Sequence, residues 1–122
     1  MNLRKNIQTI AKETLMKESE AIKNVIKFVD DDFEALVLAL LENKGRLIVT
    51  GIGKSAIIAN KLVSTFNSTG TAAIFMHAAD AIHGDLGMVR EDDWVMFISK
   101  SGNTEEVKVL LPLVKRIGAK TI

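Results

Sequence analysis

The stretch LIVTGIGKS, residues 47–55, decides the fold. It begins with a short apolar run rich in β-branched side chains, which predicts a strand, and two glycines then separate that strand from a helical segment. Two further apolar runs follow at Ala73–Met76 and Trp94–Ile98. None of the three runs alternates polar with apolar residues, and this is the pattern of strands covered on both faces.

Helical patterns separate and follow these strands. Apolar residues recur at helical spacing in Ser55–Asn67 and again in Thr104–Ile117. The alternation of strand and helix predicts a parallel, doubly wound α/β sheet of flavodoxin-like order. Lys120–Ile122 resembles the opening of a fourth strand, and we interpret the chain as truncated there, because a sheet that ends at this point has an uncovered edge.

Amphipathic helices are predicted before this sheet. We assign them to an N-terminal region, residues 1–44, and assign residues 45–122 to the front part of the α/β domain. In the second helix, Leu38 and Ala39 extend the apolar stripe over nearly every side. Two explanations stay open for the apolar stripe of this helix: an oligomer interface or deep burial. We expect the N-terminal helices to pack on the α/β domain and to form the oligomer interface.

Composition excludes several classes of function. The chain has 122 residues, which is enough for one compact domain. Its net charge of +1 does not indicate electrostatic binding to nucleic acid or to an anionic membrane. It contains no cysteine, which excludes disulfides, thiolate zinc sites and a cysteine nucleophile, and which fits a cytoplasmic location. The longest near-apolar stretch, Leu36–Leu41, is far too short to span a bilayer.

The glycine loop at residues 51–55 has the features of an anion site. Its glycines allow the backbone to approach a ligand, and the helix that follows directs free N–H groups at it. Lys54 adds positive charge and Ser55 adds a hydroxyl donor.

The same loop has three other interpretations. A nucleotide P-loop fails because Ile48 occupies the position of its first glycine. A dinucleotide fingerprint fits Gly51, Gly53 and Ala56, but it also requires an acidic residue at the end of the second strand, and the nearest acid is Asp80. The third interpretation is a tight turn whose glycines serve only packing.

A second loop, Ser99–Glu105, follows the third strand and opens the last helix. Its hydroxyls and helix N-terminus are donors suited to a phosphate, and neighbouring strands one and three would bring both loops to one crevice. Asn103 and Glu106 also fit a helix cap, so Glu106 has a structural alternative. The predicted phosphate-binding residues are Gly53, Ser55, Ser99, Ser101, Gly102, Asn103 and Thr104.

Both histidines lie in the segment after the second strand. His83 precedes a glycine in a stretch of small residues, which suits close approach to a ligand, and a structural role is its alternative. A metal site is an alternative for this segment, with four candidate ligands: His77, Asp80, His83 and Asp85. The spacing of the two histidines suits neither one helical face nor a zinc signature, so we predict no metal.

Four stretches resemble the sugar isomerase (SIS) domain superfamily and, within it, the arabinose-5-phosphate isomerases. They are VTGIGKS at residues 49–55, STGT at 68–71, HGDLGM at 83–88 and ISKSGNTEE at 98–106. The similarity covers most of the chain after Gly45. The glycine loop with Lys54, joined to the HGDLG segment, is much more specific than the serine-rich loop alone.

The resemblance implies an isomerase that interconverts ribulose 5-phosphate and arabinose 5-phosphate and supplies the lipopolysaccharide sugar Kdo. Members form tetramers and need no organic cofactor. Ser55, Ser99, Ser101 and Thr104 would hold the phosphate. Lys54 and Glu106 fall on catalytic positions of the family, and His83 falls on one implicated in the site.

The chain also departs from the family. Members carry a further catalytic glutamate and a histidine later in the domain, and many carry paired CBS domains, so we expect this chain alone to be incomplete for catalysis. Two alternatives stay open. One is a regulatory domain that binds a sugar phosphate without turnover, and the other is an isomerase for a different sugar phosphate.

Overall fold

The computed structural model describes residues 3–122, so Met1 and Asn2 of the predicted N-terminal region lie outside the described residues. The chain divides into two compact units, with the boundary between Leu41 and Glu42. The first unit is helical, and the second contains the sheet.

The helical unit consists of α1 (Leu3–Val25), a 3₁₀ turn (Ile26–Phe28) and α2 (Asp31–Glu42). Asp30 caps α2, because its Oδ1 accepts a hydrogen bond of 3.1 Å from the backbone N–H of Phe33. None of the side chains described in α1 or α2 is buried. Within the described residues of the helical unit, burial therefore does not account for the apolar stripe of α2.

Large apolar side chains face solvent along both helices. Ile22 of α1 is 73% exposed and Leu41 of α2 is 76% exposed. Others with at least half of their surface exposed are Ile7, Ile10, Leu15, Met16, Val25 and Leu38. No helix within residues 3–122 combines the length and the apolar character needed to cross a membrane.

The second unit is an α/β sheet with helices on both faces. Its elements are β1 (Leu47–Gly51), α3 (Lys54–Ser68), β2 (Ala73–His77), α4 (Ala78–Ile82), a 3₁₀ turn (Asp85–Met88), β3 (Trp94–Ile98), α5 (Glu105–Ile117) and β4 (Lys120–Thr121). The strands are all parallel and lie in the order β2-β1-β3-β4. The predicted parallel, doubly wound sheet of flavodoxin-like order is confirmed.

The main core lies between the sheet and the pair of helices α4 and α5. Ile48 and Val95 of the two central strands are fully buried in it, together with Leu110 and Val114 of α5. Helix α3 contributes a second buried stripe, Ala56, Ala59 and Val63. Every residue of β1 is buried, as expected of a central strand covered on both faces.

An ion pair ties together the amino ends of the two central strands. The Arg46 guanidinium lies 2.7 Å from the fully buried carboxylate of Asp93 and also donates to the carbonyl oxygen of Met88. The same carboxylate accepts backbone N–H bonds from Arg46 and Arg90. Burial raises the pKa of Asp93, but the hydrogen bonds from Arg46 and Arg90 outweigh burial and hold this pKa below its usual range.

Candidate functional site

The two predicted ligand loops leave the sheet side by side. Gly51, at the end of β1, is the Cα partner of Ile98, at the end of β3. The glycine loop follows Gly51 directly, and the serine-rich loop follows Ile98 directly. Strand order reverses at this point, because β2 lies on one side of β1 and β3 lies on the other. Doubly wound sheets bind ligands beyond the carboxyl ends of strands at such a position.

The glycine loop has a conformation that only glycine adopts readily. Gly53 has φ 57° and ψ −128° and forms the N-cap of α3, and a Cβ added there would meet no heavy atom within 4 Å. A Cβ on Gly51 would lie 2.9 Å from the carbonyl carbon of Ser55, so glycine permits the close approach of α3 to β1. At both glycines, the backbone near the N-terminus of α3 is not covered by a side chain.

Helix α3 begins without a side-chain cap. Lys54 is its first residue and is exposed, and Ser55 is half-buried behind it. Neither side chain makes a hydrogen bond or ion pair within residues 3–122. The uncapped N–H groups, the partial positive charge of the helix and the Lys54 ammonium together favour an anion at this end.

The serine-rich loop is held by its own hydroxyls. Ser99 Oγ accepts a hydrogen bond of 3.0 Å from the backbone N–H of Gly102, and Ser101 Oγ accepts one of 3.2 Å from that of Asn103. Each hydroxyl keeps its O–H free to donate to a ligand. These bonds order the loop before any ligand arrives.

Thr104 carries an unpaired hydroxyl at the head of α5. It occupies the N-cap position with φ −71° and ψ 144°, yet its side chain makes no capping bond. Its Oγ1 is buried and has no hydrogen-bond partner within residues 3–122. A buried hydroxyl without a partner is costly, and a threonine at this position would normally cap the helix. A ligand that reaches the head of α5 would supply the missing hydrogen-bond partner.

Glu106 lies in the first turn of α5 and is half-buried. The alternative that it caps the helix with Asn103 is wrong, because the N-cap is Thr104 and Glu106 makes no hydrogen bond or ion pair within the described part of the chain. The neighbouring Glu105 is engaged instead, at 2.9 Å from the Lys108 ammonium. The Glu106 carboxylate is thus unengaged beside the serine-rich loop.

His83 ends a short helix that the sequence pattern does not predict. It is the C-cap residue of α4 and is exposed, and Gly84 follows it with φ 143°. Ala78 and Ala81 bury α4 in the main core, so this helix and the 3₁₀ turn after it fix the segment that bears His83. Within residues 3–122, no group of three or more metal-ligating side chains lies together.

The family follows from this architecture and from sequence comparison. The model of the SIS domain family matches residues 40–122, which contain the whole sheet and both loops. The chain belongs to the SIS domain family. The roles of the individual site residues stay predictions, since the SIS match concerns the domain as a whole.

Several relatives of this SIS domain carry related names. The chain is 42% identical to a Pseudomonas aeruginosa protein named arabinose 5-phosphate isomerase KdsD, over 100% of this chain and 38% of the relative. It is 41% identical to an Escherichia coli protein named arabinose 5-phosphate isomerase KpsF, over 93% of this chain and 35% of the relative. The chain thus spans little more than a third of these curated relatives.

A solved structure is similar over almost the whole chain. It is a protein of Escherichia coli CFT073 in complex with arabinose 5-phosphate, and it superposes with a TM-score of 0.92 at 40% sequence identity. The match covers 99% of this chain and 64% of that one. The described residues therefore share the fold of a larger protein whose structure holds a bound sugar phosphate.

Proposed function

We propose that this SIS domain belongs to an aldose–ketose isomerase that interconverts D-ribulose 5-phosphate and D-arabinose 5-phosphate. The names of the relatives and the bound sugar phosphate of the solved neighbour support the choice of sugar. The unpaired, buried Thr104 hydroxyl is the single observation that carries the ligand site. It lies at the head of α5, beside a loop that leaves the sheet next to the glycine loop.

The phosphate is proposed to lie between the heads of α3 and α5. Both helices direct backbone N–H groups and positive partial charge toward this crevice. Ser55, Ser99, Ser101 and Thr104 donate O–H groups, while Gly53, Gly102 and Asn103 contribute backbone close to the ligand. Phosphate binding fixes the reacting carbons against the catalytic side chains, so binding energy supports the chemistry.

The reaction moves a proton between C1 and C2 through an enediol. Glu106 is our candidate for the base, because its carboxylate is half-buried and unengaged at the head of α5. Lys54 stabilises the negative charge that develops on the enediolate oxygen. His83 orients the sugar hydroxyls or assists ring opening. The isomerisation is redox-neutral, and we propose no organic cofactor and no metal for it.

The exposed apolar helices are proposed to form an oligomer interface. Helices α1 and α2 bury none of their described side chains within this chain, while large residues such as Ile22 and Leu41 face solvent. Apolar faces of this extent mark interaction surfaces. A homotetramer is the assembly that we propose, with the enzyme acting in the cytoplasm on precursors of Kdo.

The test is conversion of ribulose 5-phosphate by the full-length protein that contains this chain. We expect arabinose 5-phosphate as the product, detected by chromatography against authentic pentose phosphates. Binding of both pentose phosphates without conversion would favour a regulatory SIS domain. Conversion of another sugar phosphate in preference to these would favour a different isomerase.

A further inference from the structure

His77 is a histidine beside the glycine loop, and the mechanism above does not use it. It is the last residue of β2 and the Cα partner of Gly51, where the glycine loop begins. Adjacent strands lie about 4.8 Å apart, so His77 is an immediate neighbour of that loop. Met76 belongs to the core on the side of α4 and α5, and alternation along the strand places the His77 ring on the opposite face, against which α3 packs.

The two ring nitrogens of His77 have different surroundings. Nδ1 is buried without a hydrogen-bond partner within residues 3–122, and the nearest carboxylate oxygen, Asp80 Oδ2, lies 3.8 Å away. That distance is too long for a hydrogen bond. Nε2 is not among the buried atoms and also makes no hydrogen bond in the described chain, while the side chain as a whole is 34% exposed. The open edge of the ring therefore carries Nε2.

This arrangement suits a ligand with hydroxyl groups. Nδ1 lies 3.8 Å from Asp80 Oδ2, and a ring rotation that brought Nδ1–H within hydrogen-bond distance of this carboxylate would fix the tautomer in which Nε2 is an acceptor. An acceptor nitrogen repels the oxygens of a phosphate, which are acceptors as well, but it accepts a hydrogen bond from a sugar hydroxyl. On the same strand, the His77 ring makes an edge-on contact with Phe75, with 6.4 Å between ring centres.

We propose that His77 binds a hydroxyl group of the sugar through Nε2, and that Asp80 positions the ring through Nδ1. This inference rests on the proposed function, because it requires a sugar phosphate in the crevice beside the glycine loop. It adds to that function a residue that recognises the carbohydrate part of the substrate rather than its phosphate.

The test compares two variants that each replace one ring nitrogen. Asparagine places its amide near Nδ1, whereas glutamine reaches the position of Nε2. In the full-length protein we expect His77→Asn to weaken the binding of arabinose 5-phosphate about tenfold, and His77→Gln to weaken it only about two- to threefold. The Kd of inorganic phosphate, measured by calorimetry on the same proteins, should stay within about twofold of the parent value.

Two results would overturn the proposal. One is unchanged binding of arabinose 5-phosphate by His77→Asn, and the other is a loss of phosphate affinity equal to the loss of sugar-phosphate affinity in both variants. Thermal midpoints of both variants establish that binding is measured on folded protein. If the parent protein converts ribulose 5-phosphate and His77→Asn binds arabinose 5-phosphate normally, only this inference is wrong. If the parent protein binds no pentose phosphate, the proposed function is wrong as well.

Discussion

Gly51 and Ile98 are paired at the carboxyl ends of the two central strands, and the two ligand loops begin directly after them. This pairing makes the glycine loop and the serine-rich loop neighbours in space although they lie far apart in the sequence. Helices α3 and α5 both start above this pair without a side-chain cap. Donor groups from two separate segments of the chain are thereby gathered at one end of the sheet.

Thr104→Val should separate ligand binding from stability. Valine has the shape of threonine without the hydroxyl, and that hydroxyl is buried and unpaired, so the free energy of unfolding should stay the same or rise by about 1 kcal/mol. The KM for ribulose 5-phosphate should rise about tenfold, because a phosphate donor is lost. Thr71→Val, at an exposed position, is the matched control and should change neither quantity. A destabilised Thr104→Val with normal KM would contradict this role.

Glu106→Gln should lower kcat by about 10²- to 10⁴-fold while arabinose 5-phosphate still binds. Glutamine keeps the size of glutamate and removes the base. Glu105→Gln is the adjacent control, because Glu105 is exposed and paired with Lys108, and its kcat should stay near that of the parent. Steady-state kinetics and a binding titration check both variants. Comparable kcat values for the two variants would remove Glu106 as the base.

The Arg46–Asp93 ion pair should make stability depend on acid pH. The pKa of Asp93 is lowered in the folded state, whereas that of an unfolded aspartate is about 3.9. Its contribution to the free energy of unfolding is therefore fully present well above pH ~4 and is lost as the pH falls toward the folded pKa. Chemical denaturation between pH ~3 and ~7 should show this loss.

Asp93→Asn should cost about 2–3 kcal/mol at neutral pH and flatten the acid side of that curve. This cost lies at or just below the lower limit of the ~3–5 kcal/mol that breaking a fully buried ion pair costs, since the Arg46 side chain is 26% exposed. Asp92→Asn changes an exposed neighbour with no hydrogen bond to Arg46 and should cost less than about 0.5 kcal/mol. An acid decline equally steep in Asp93→Asn would show that other carboxylates cause it.

Leu41→Glu should reduce the size of the assembly. Leu41 is 76% exposed on α2, so a glutamate there keeps its charge in solvent when the chain is not associated. In an oligomer interface the same charge is desolvated and opposes association. Light scattering after size-exclusion chromatography should report a smaller species than the parent, whereas Glu34→Gln on the same helix should leave the mass unchanged. An unchanged mass for Leu41→Glu would place the interface elsewhere.

The sequence predicted the sheet well because its strands are covered on both faces. Trp94–Ile98 has the predicted bounds, while β1 extends beyond the apolar run to Thr50 and Gly51, which continue the ladder toward β2 and β3. Helix α4 was missed because its five residues, Ala78–Ile82, are too few to display a helical period. Helix α5 begins at Glu105 rather than Thr104, because Thr104 has an extended backbone.

The candidate site was predictable in its composition but not in its hydrogen bonding. Glycines, hydroxyls and Lys54 at the starts of two helices indicate an anion from the sequence alone. Which hydroxyls are already engaged depends on loop geometry. Ser99 and Ser101 bond their own loop, whereas Thr104 does not cap its helix. Whether Nδ1 of His77 has a hydrogen-bond partner depends in the same way on the rotation of its ring.

The central claim is that the crevice above Gly51 and Ile98 isomerises a pentose phosphate through an enediol. The most direct test is proton NMR of ribulose 5-phosphate in D₂O with the full-length protein. We predict arabinose 5-phosphate carrying deuterium at C2, together with exchange of one of the two C1 protons for deuterium in recovered ribulose 5-phosphate. Ribulose 5-phosphate that binds the protein but stays unconverted and unlabelled would contradict the account.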